Sequence, residues 1–335
     1  MDISTFGSEM KRYYTQNQAM IDIELMGMGD APSVQQCRPI AGVQDRYLGK
    51  GKRLEKILQP GMKGFTPLVN KLAVHPHETV VRDAKIDYSI DYDDLRRIQQ
   101  SIIGYLTAGR RSNVNQQSVQ SIYNETLSSI ISAKARETEM DIFWRGQFLA
   151  PTYPTPGAAA DVVDGVKKVL TDAITAGTLA PSVQGAYDNT TTLDYADTFA
   201  DSLPDSLVLS YPTLPIYCSP TFHKDAFYNR RSKYGGNNDY NSKEIITVGA
   251  LGRCYLVPLL SMSSESRLWT TLPGNLIWCS NYTGEDKMLT VTTHEDEREV
   301  RITGDYKIAP GFEFIGVPSA TNDTQIVWVT DWDKP

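Results

Sequence analysis

The sequence predicts an α+β chain from three observations: one long stretch with helical periodicity, one with the period of a strand, and a last quarter of short β-prone runs. The helical stretch runs from Ser112 to Gly146 without a proline. Leu127, Ile131, Ala135, Thr138 and Ile142 recur at spacings of three and four, so they share one stripe, and Gln120, Asn124, Ser128, Lys134 and Glu137 are expected on the solvent face. Ser112 to Asn115 offer N-caps and Gly146 a stop. A helix from Ser118 to Arg145 would be roughly 40 Å long, which fits an extended molecule, although long core helices of compact domains share the pattern.

The strand-like stretch runs from Phe65 to Tyr92. In its second half Val80, Ala84, Ile86, Tyr88, Ile90 and Tyr92 alternate with Val81, Asp83, Lys85, Asp87, Ser89 and Asp91, one face largely apolar and the other charged. Leu68 to Val74 is the expected partner strand, with His75, Pro76, His77 and Glu78 as the turn. An isolated two-stranded hairpin is marginal in water, so this one is expected to lie on another surface, a neighbouring subunit or its own domain.

Upstream, Met1 to Gln59 has mixed polarity and weak periodicity, with Gly27, Gly29 and Pro32 interrupting its apolar segment, and is expected to be an arm that depends on the rest of the molecule. Its basic cluster, Lys50, Lys52, Arg53 and Lys56, fits a solvated face. Downstream, Pro151, Pro154, Pro156 and Gly157 mark a boundary. Asp161 opens an expected helix that buries Val162, Val166, Val169, Leu170, Ala173 and Ile174 and ends at Gly177. Leu207 to Tyr211 and Leu214 to Cys218 are expected as buried strands. Ser219-Pro220 supplies a cap and an N1 proline for a helix from Thr221 to Tyr234, stopped by Gly235-Gly236. After a polar loop, strands are expected around Ile245 to Val248 and Cys254 to Leu260. In the last quarter the expected strands are Leu276 to Ser280, Met288 to Thr293, Glu299 to Ile308, Phe312 to Val317 and Gln325 to Thr330, with the charged turn His294 to Arg298 between the second and third.

Composition narrows the function classes. The 335 residues are 41% hydrophobic and 22% charged, the balance of a folded globular protein rather than a disordered or fibrous one. The start, MDISTFGSEMKRYY, lacks the pattern of a signal peptide, and no apolar run approaches the ~18 residues of a membrane span. Synthesis inside the cell is therefore expected, with no membrane partner, no glycan at the sequons of Asn124, Asn189, Asn281 and Asn322, and free thiols at Cys37, Cys218, Cys254 and Cys279. A net charge of −7 weighs against tight binding of phosphate backbones.

Catalytic chemistry finds little support. There is no G-x-S-x-G, and Gly49-Lys50-Gly51-Lys52-Arg53 places Arg53 where a phosphate-binding loop needs Ser or Thr. His75 and His77 flank a proline but have no matching Cys or carboxylate spacing for a metal. Glu295, Asp296 and Glu297 could hold a hard cation, yet a solvated tip or a tip that pairs with a basic partner explains them with less. No cofactor, metal or catalytic residue is expected, and the chain is read as a non-enzyme.

The order of elements resembles the major capsid proteins of tailed bacteriophages, the Hong Kong 97-like fold, and among them those of phages from Bacteroidetes-type hosts. The resemblance covers most of the chain from Phe65 onward. It is carried by the charged hairpin before the long helix, by Phe143, Trp144 and Gly146 at the helix end, and by the helix DVVDGVKKVLTDAITAG. The Tyr217-Cys218-Ser219-Pro220 step, the segment Leu272-Pro273-Gly274-Asn275-Leu276 and the paired strands around His294 to Arg298 complete it. It implies an N-terminal arm (1–59), an extended β-hairpin loop (60–95), a peripheral domain with a spine helix (96–150) and an axial domain (151–264). Return strands of the peripheral domain (265–308) and C-terminal strands returning to the axial domain (309–335) would follow. It further implies a virion shell built in the bacterial cytoplasm from pentamers and hexamers of this chain around double-stranded DNA held by weak contacts. The short arm leaves a separate scaffolding protein and a portal as expected partners; cross-linking is not expected, because no Lys, Asn and carboxylate set matches. Contacts between subunits are expected at Pro76, His77, Arg82, Asp83, Lys85 and Asp87 of the hairpin and at Glu295, Asp296, Glu297 and Arg298 of the turn. Two other functions fit parts of the pattern: an encapsulin-type compartment of the same fold, and a cytosolic α/β enzyme or ligand-binding protein centred on Pro151 to Ser264.

Overall fold

The computed structural model describes residues 3–25, 31–49, 52–54, 72–94, 96–97, 100, 116–234, 245–282, 288–294 and 296–331. Its main helices are α1 (Ile3–Leu25), α2 (Pro32–Gln35), α3 (Gln116–Glu137), α4 (Val166–Thr175), α5 (Thr192–Asp201), α6 (Asp205–Ser210) and α7 (Pro220–Tyr234). The strands are β1 (Arg38–Ile40), β2 (Arg46–Leu48), β3 (Lys52–Leu54), β4 (Leu72–Val74), β5 (Glu78–Val80), β6 (Arg82–Asp91), β7 (Leu214–Cys218), β8 (Ile246–Val248), β9 (Cys254–Pro258), β10 (Trp269–Thr271), β11 (Leu276–Ser280), β12 (Leu289–His294), β13 (Glu299–Phe312) and β14 (Val327–Val329). They form two five-stranded sheets and two small ribbons.

The first sheet is organised by β13, which pairs with β11 and β12 in the order β1-β11-β13-β12 and also takes β6. Here the sequence expectation is corrected. β6 has the expected alternation, with Ala84 and Ile90 buried and Asp83, Lys85 and Asp87 exposed, but it does not pair with 68–74. Its partner is β13, antiparallel, from Arg82↔Ile308 to Asp91↔Glu299. Period-two patterning specifies a strand and its faces but not its partner, and Val300, Ile302 and Ile308 give β13 the same alternation. The supposed hairpin instead belongs to a ribbon in which β2 pairs antiparallel with β5 and β3 antiparallel with β4. Residues 68–71 of the expected strand, and 55–67, lie outside the described residues. β13 also continues through Pro310-Gly311 to Phe312, where the sequence implied a break before a strand over 312–317. A Cβ on Gly311 would sit 2.3 Å from Thr79 Oγ1, so the glycine lets β5 pass against β13.

The weakly periodic N-terminus is helical. Phe6, Met10 and Tyr14 are buried at spacings of four, and the helix leaves regular geometry at Asn17 (φ −114°, ψ 15°), after which Ile21 continues the buried side. Phe6, Met10, Tyr14 and Ile21 thus share one face across the break, but with polar residues and Gly7 filling the rest of the segment the apolar stripe is sparse in the sequence. α1 packs on β12: a Cβ on Gly7 would lie 2.0 Å from Thr293 Oγ1, and Tyr14 Oη accepts from Leu289 N (3.0 Å) while donating to the buried Asp22 (2.6 Å). Burial pushes the Asp22 carboxyl above its usual range.

The second sheet runs β14-β10-β7-β9-β8, with β7 and β9 parallel. α7 begins as its sequence announces, with Ser219 Oγ accepting from Phe222 N (3.2 Å) and Pro220 at the first turn. α4 starts at Val166 rather than Asp161, buries Val166, Leu170 and Ala173, and ends before Gly177 at φ 69°. Two elements depart from expectation. Residues 205–210 form α6 instead of a strand, because Pro204 and Asp205 supply a helix start, and α5, not anticipated, is set by Asp188 Oδ1 accepting from Thr190 N (2.8 Å) and Thr191 N (3.0 Å).

α3 buries Leu127, Ile131 and Ala135 as expected and runs into a π-helical turn, Thr138–Ile142, that buries Thr138 and Ile142. In this turn the buried Glu139 gathers three segments: it accepts from Ser33 N (2.8 Å) and Ser33 Oγ (2.5 Å) of α2 and from Ser261 N (3.0 Å) of the 260–262 turn. Glu139→Ala would leave the Ser33 and Ser261 amides buried and unpaired, with the Ser33 hydroxyl keeping only that of Ser261 (2.8 Å). It is expected to cost about 3 kcal/mol, read as a lowered midpoint in urea, with Glu139→Gln losing less because it keeps one acceptor. Where the two sheets meet, Trp269 stacks on Trp144 (6.0 Å between centroids), lies against Tyr217 (4.4 Å) and meets Phe312 edge-on (5.9 Å). All four cysteines are free and three are buried, Cys37 being half-buried, and burial raises the Cys254 thiol to about 11 and that of Cys279 to about 12.

Candidate assembly surfaces

The expected contact residues fall at the two ends of β6, a strand of roughly 30 Å. At its start the ribbon leaves the body. Pro76 is exposed there, while His77 is half-buried, its carbonyl accepts from Gly49 N (2.9 Å), and burial lowers its imidazole pKa. Arg82 is directed inward, its guanidinium 4.0 Å from the centroid of Phe148, which leaves it less available to a neighbour than the sequence implied. Asp83, Lys85 and Asp87 line the exposed face of β6. Lys85 bridges Asp87 (2.5 Å), and Lys307 of β13 reaches both Asp83 (3.6 Å) and Asp45 (3.3 Å). The charged face is thus partly self-paired, and these exposed pairs contribute little to stability.

At the far end, β12 and β13 close antiparallel at His294↔Glu299. Asp296, Glu297 and Arg298 are exposed in the turn, Arg298 at φ 54°; Glu295 lies outside the described residues. Arg301 pairs with Glu297 and Glu299, so the acidic tip is held to its own strand. Because Asp91 sits opposite Glu299, the register brings Asp83, Lys85 and Asp87 onto the same sheet as this turn, whereas Pro76 and His77 stand apart from it on the ribbon. Among the described residues, no group of His, Cys, Asp and Glu is placed to hold a metal ion, and no helix is long and apolar enough to cross a membrane.

Sequence reasoning missed exposed apolar side chains. Leu48 on the ribbon is 62% exposed, and Leu149 and Tyr153, in the proline-rich segment after α3, are 65% and 96% exposed. The repeated prolines were the available signal, read only as a boundary. Leu48, Leu149 and Tyr153 are large apolar groups left exposed.

One charged residue is corrected outright. Lys134, expected on the solvent face of α3, is 6% exposed, with Nζ 4.5 Å from the ring centroid of Tyr306. It lies one turn beyond the buried Ile130, and β13 packs over that side too, so the buried arc is wider than the apolar stripe. Burial lowers its ammonium from 10.5 to about 7. Lys134→Met is expected to raise stability by about 2 kcal/mol at neutral pH. The lysine pKa is depressed on folding, so between about 7 and 10.5 the unfolded chain holds the proton and the native chain does not. Wild-type stability should therefore gain on the variant as pH rises from 7 to 9, with a constant gap below 7. Thermal melts of both proteins across pH 6 to 9 check this.

No protein-family model and no curated protein matches the sequence. Solved structures do. The chain is similar to one in a structure titled Satellite phage P4 procapsid including size determination (Sid) protein, at 9% identity, with a TM-score of 0.52 over 93% of this chain and 90% of that one. It also aligns with a chain of Mycobacterium phage Adephagia (11% identity, TM-score 0.43, 91% of each chain). A third alignment is to a virus-like particle from Pyrococcus furiosus (8% identity, TM-score 0.43, 94% and 96%). The first likeness extends over 93% of this chain, and with it the fold is the α+β, Hong Kong 97-like fold expected from the sequence.

Proposed function

We propose that this chain is a structural shell subunit, a major capsid protein that assembles through pentamers and hexamers into an icosahedral shell around the double-stranded DNA of a tailed phage. The observation that carries it is the likeness to a chain of the procapsid structure over 93% of this one. A ribbon built of two pairs of short strands has little stability of its own and exposes Leu48, which supports its resting on a second copy of the chain.

The divisions follow: 1–59 an arm, though one whose helix α1 is anchored on β12; 60–95 an extended loop; 96–150 the peripheral domain with α3 as spine; 151–264 the axial domain; 265–308 the return strands; 309–335 the closing strands, with β14 paired to β10. Contacts between copies would use the ribbon at Pro76 and His77, the β6 face at Asp83, Lys85 and Asp87, and the turn at Glu295 to Arg298, with exposed Leu and Tyr side chains supplying most of the energy. Each pair is worth about 0 to 1 kcal/mol when exposed, but a shell repeats it many times, so weak contacts suffice and permit correction of errors. Assembly in the bacterial cytoplasm with a separate scaffolding protein and a portal belongs to this reading, as does DNA held without tight binding by a chain of net charge −7. Electron microscopy of the purified protein with analysis of the particle contents tests it: DNA-filled particles from infected cells support it, and particles filled with an enzyme would place the same fold in a cellular compartment.

A further inference from the structure

β6 is an outer strand of the first sheet. All ten of its residues pair with β13, and among the described residues no strand lies along its other edge. An edge of this length is a template for pairing with another chain, and proteins usually blunt it with a bulge, a proline or repelling charges. β6 has no proline, and its register with β13 runs from Arg82 to Asp91 without a bulge. Its charges alternate in sign: Asp83, Lys85 and Asp87 occupy every second position of the exposed face, followed by Ser89. The opposite face is only partly covered. Ala84 is buried, but Ile86 is half-buried and Tyr88 is 43% exposed.

Both faces are complementary to themselves. A second copy of β6, laid antiparallel along the free edge with a two-fold axis through Ile86, sets Lys85 opposite Asp87, Asp83 opposite Ser89 and Ala84 opposite Tyr88. Each of these pairs occurs twice, and Ile86 meets its own copy on the axis. Opposite charges meet on the exposed face, and a ring meets a small side chain on the other. The neighbouring registers lack this match: an axis through Lys85 sets lysine on lysine and Asp83 on Asp87, and one through Asp87 sets Asp87 on itself and Asp83 on Asp91. Lys85 already bridges Asp87 within the chain (2.5 Å), so the same two groups need only exchange partners. The pairing spans Asp83 to Ser89, roughly 20 Å of strand. It stops short of Val81, whose N–H is taken by the Asp45 carbonyl (2.9 Å). We propose that β6 is a self-complementary edge through which two copies of this chain join across a two-fold axis, making one continuous sheet of their first sheets. This deepens the shell reading, on which it rests for the place of the contact in a shell: a two-fold contact links rings of five and six to one another, which contacts around a ring do not.

The test uses the full chain. Lys85→Asp and Asp87→Lys each set like charges opposite one another in both central pairs, whereas in an equal mixture of the two variants every such pair is again one acid opposite one lysine. Both variants lose the Lys85–Asp87 bridge within the chain, so recovery in the mixture has to come from contact between copies. Self-association is followed by sedimentation velocity at about 50 mM salt, where charge pairs are weakly screened. Each variant alone should associate about tenfold more weakly than the wild type, and the mixture should recover to within about threefold of it. A mixture as weak as its components, or variants that associate as the wild type does, overturns the inference. Ile86→Cys gives a second reading that leaves the charges in place. With a short bis-maleimide it should link to itself as a dimer above the wild-type background, while Ser89→Cys should not, its two copies lying roughly 20 Å from the axis-related partner. Equal dimer yields from these two variants overturn the inference, as does a wild type that stays monomeric together with no link at Ile86→Cys. Linked dimers and recovery by mixing in a chain that forms no rings or shells would keep this contact and discard the shell reading. Shells at wild-type yield from Lys85→Asp alone would keep the shell reading and discard the contact.

Discussion

Trp269→Ala is expected to destabilise the fold by about 3 to 5 kcal/mol, the range for emptying a fully buried aromatic site. Trp269 is fully buried on β10, the strand that joins β14 to β7 in the second sheet. Its ring meets Trp144 after the π-helical turn, Tyr217 of β7 and Phe312 at the end of β13, so one side chain connects both sheets and the segment that follows the long helix. Its indole N–H also points at the Met262 sulfur (3.2 Å). Alanine would leave a cavity that rigid neighbours cannot close, because each is fixed in its own strand or turn. Urea unfolding followed by far-UV circular dichroism reads the effect. Trp269→Phe should lose about 1 to 2 kcal/mol, since it retains a ring against Tyr217. A loss below 1 kcal/mol for alanine would mean that the two sheets are not locked through this residue.

Replacing residues 55–71 by a short Asn-Gly turn is expected to abolish shell formation and leave the monomer folded. The geometry permits the cut: Leu54 and Leu72 are direct partners across β3 and β4, so a two-residue turn can close the ribbon there. Nothing in either large sheet is removed, and the melting temperature should stay within about 3 °C of the wild type. Sedimentation velocity would show the loss as absence of particles and of capsomer-sized rings. Shells of normal size from this variant would remove residues 55–71 from the assembly contacts.

The parts of the fold legible in the sequence were those whose signal is local. Ser219-Pro220 fixed the start of α7, the Leu127, Ile131, Ala135 stripe fixed the buried side of α3, and alternation fixed the faces of β6. What failed depended on distant partners or a change of phase. β6 took β13 because the pairing is decided by a strand near the other end of the chain, which no local pattern records. α1 escaped notice because its buried face is a sparse stripe, Phe6, Met10, Tyr14 and Ile21, set among polar residues and interrupted at Asn17. Lys134 was placed in solvent because a charged side chain with a long apolar stem can lie under a second element, here Tyr306 of β13. For the candidate surfaces, residue types were legible but engagement was not: Arg82 turns to Phe148 and Glu297 to Arg301 within the same chain.

The measurement that tests the central claim most directly is negative-stain electron microscopy of the purified chain, with light scattering for the mass in solution, across protein concentration and salt. The account predicts hollow shells, or rings of five and six subunits that grow into shells as concentration rises. A particle that remains a monomer or dimer under all of these conditions, with no rings, would contradict it.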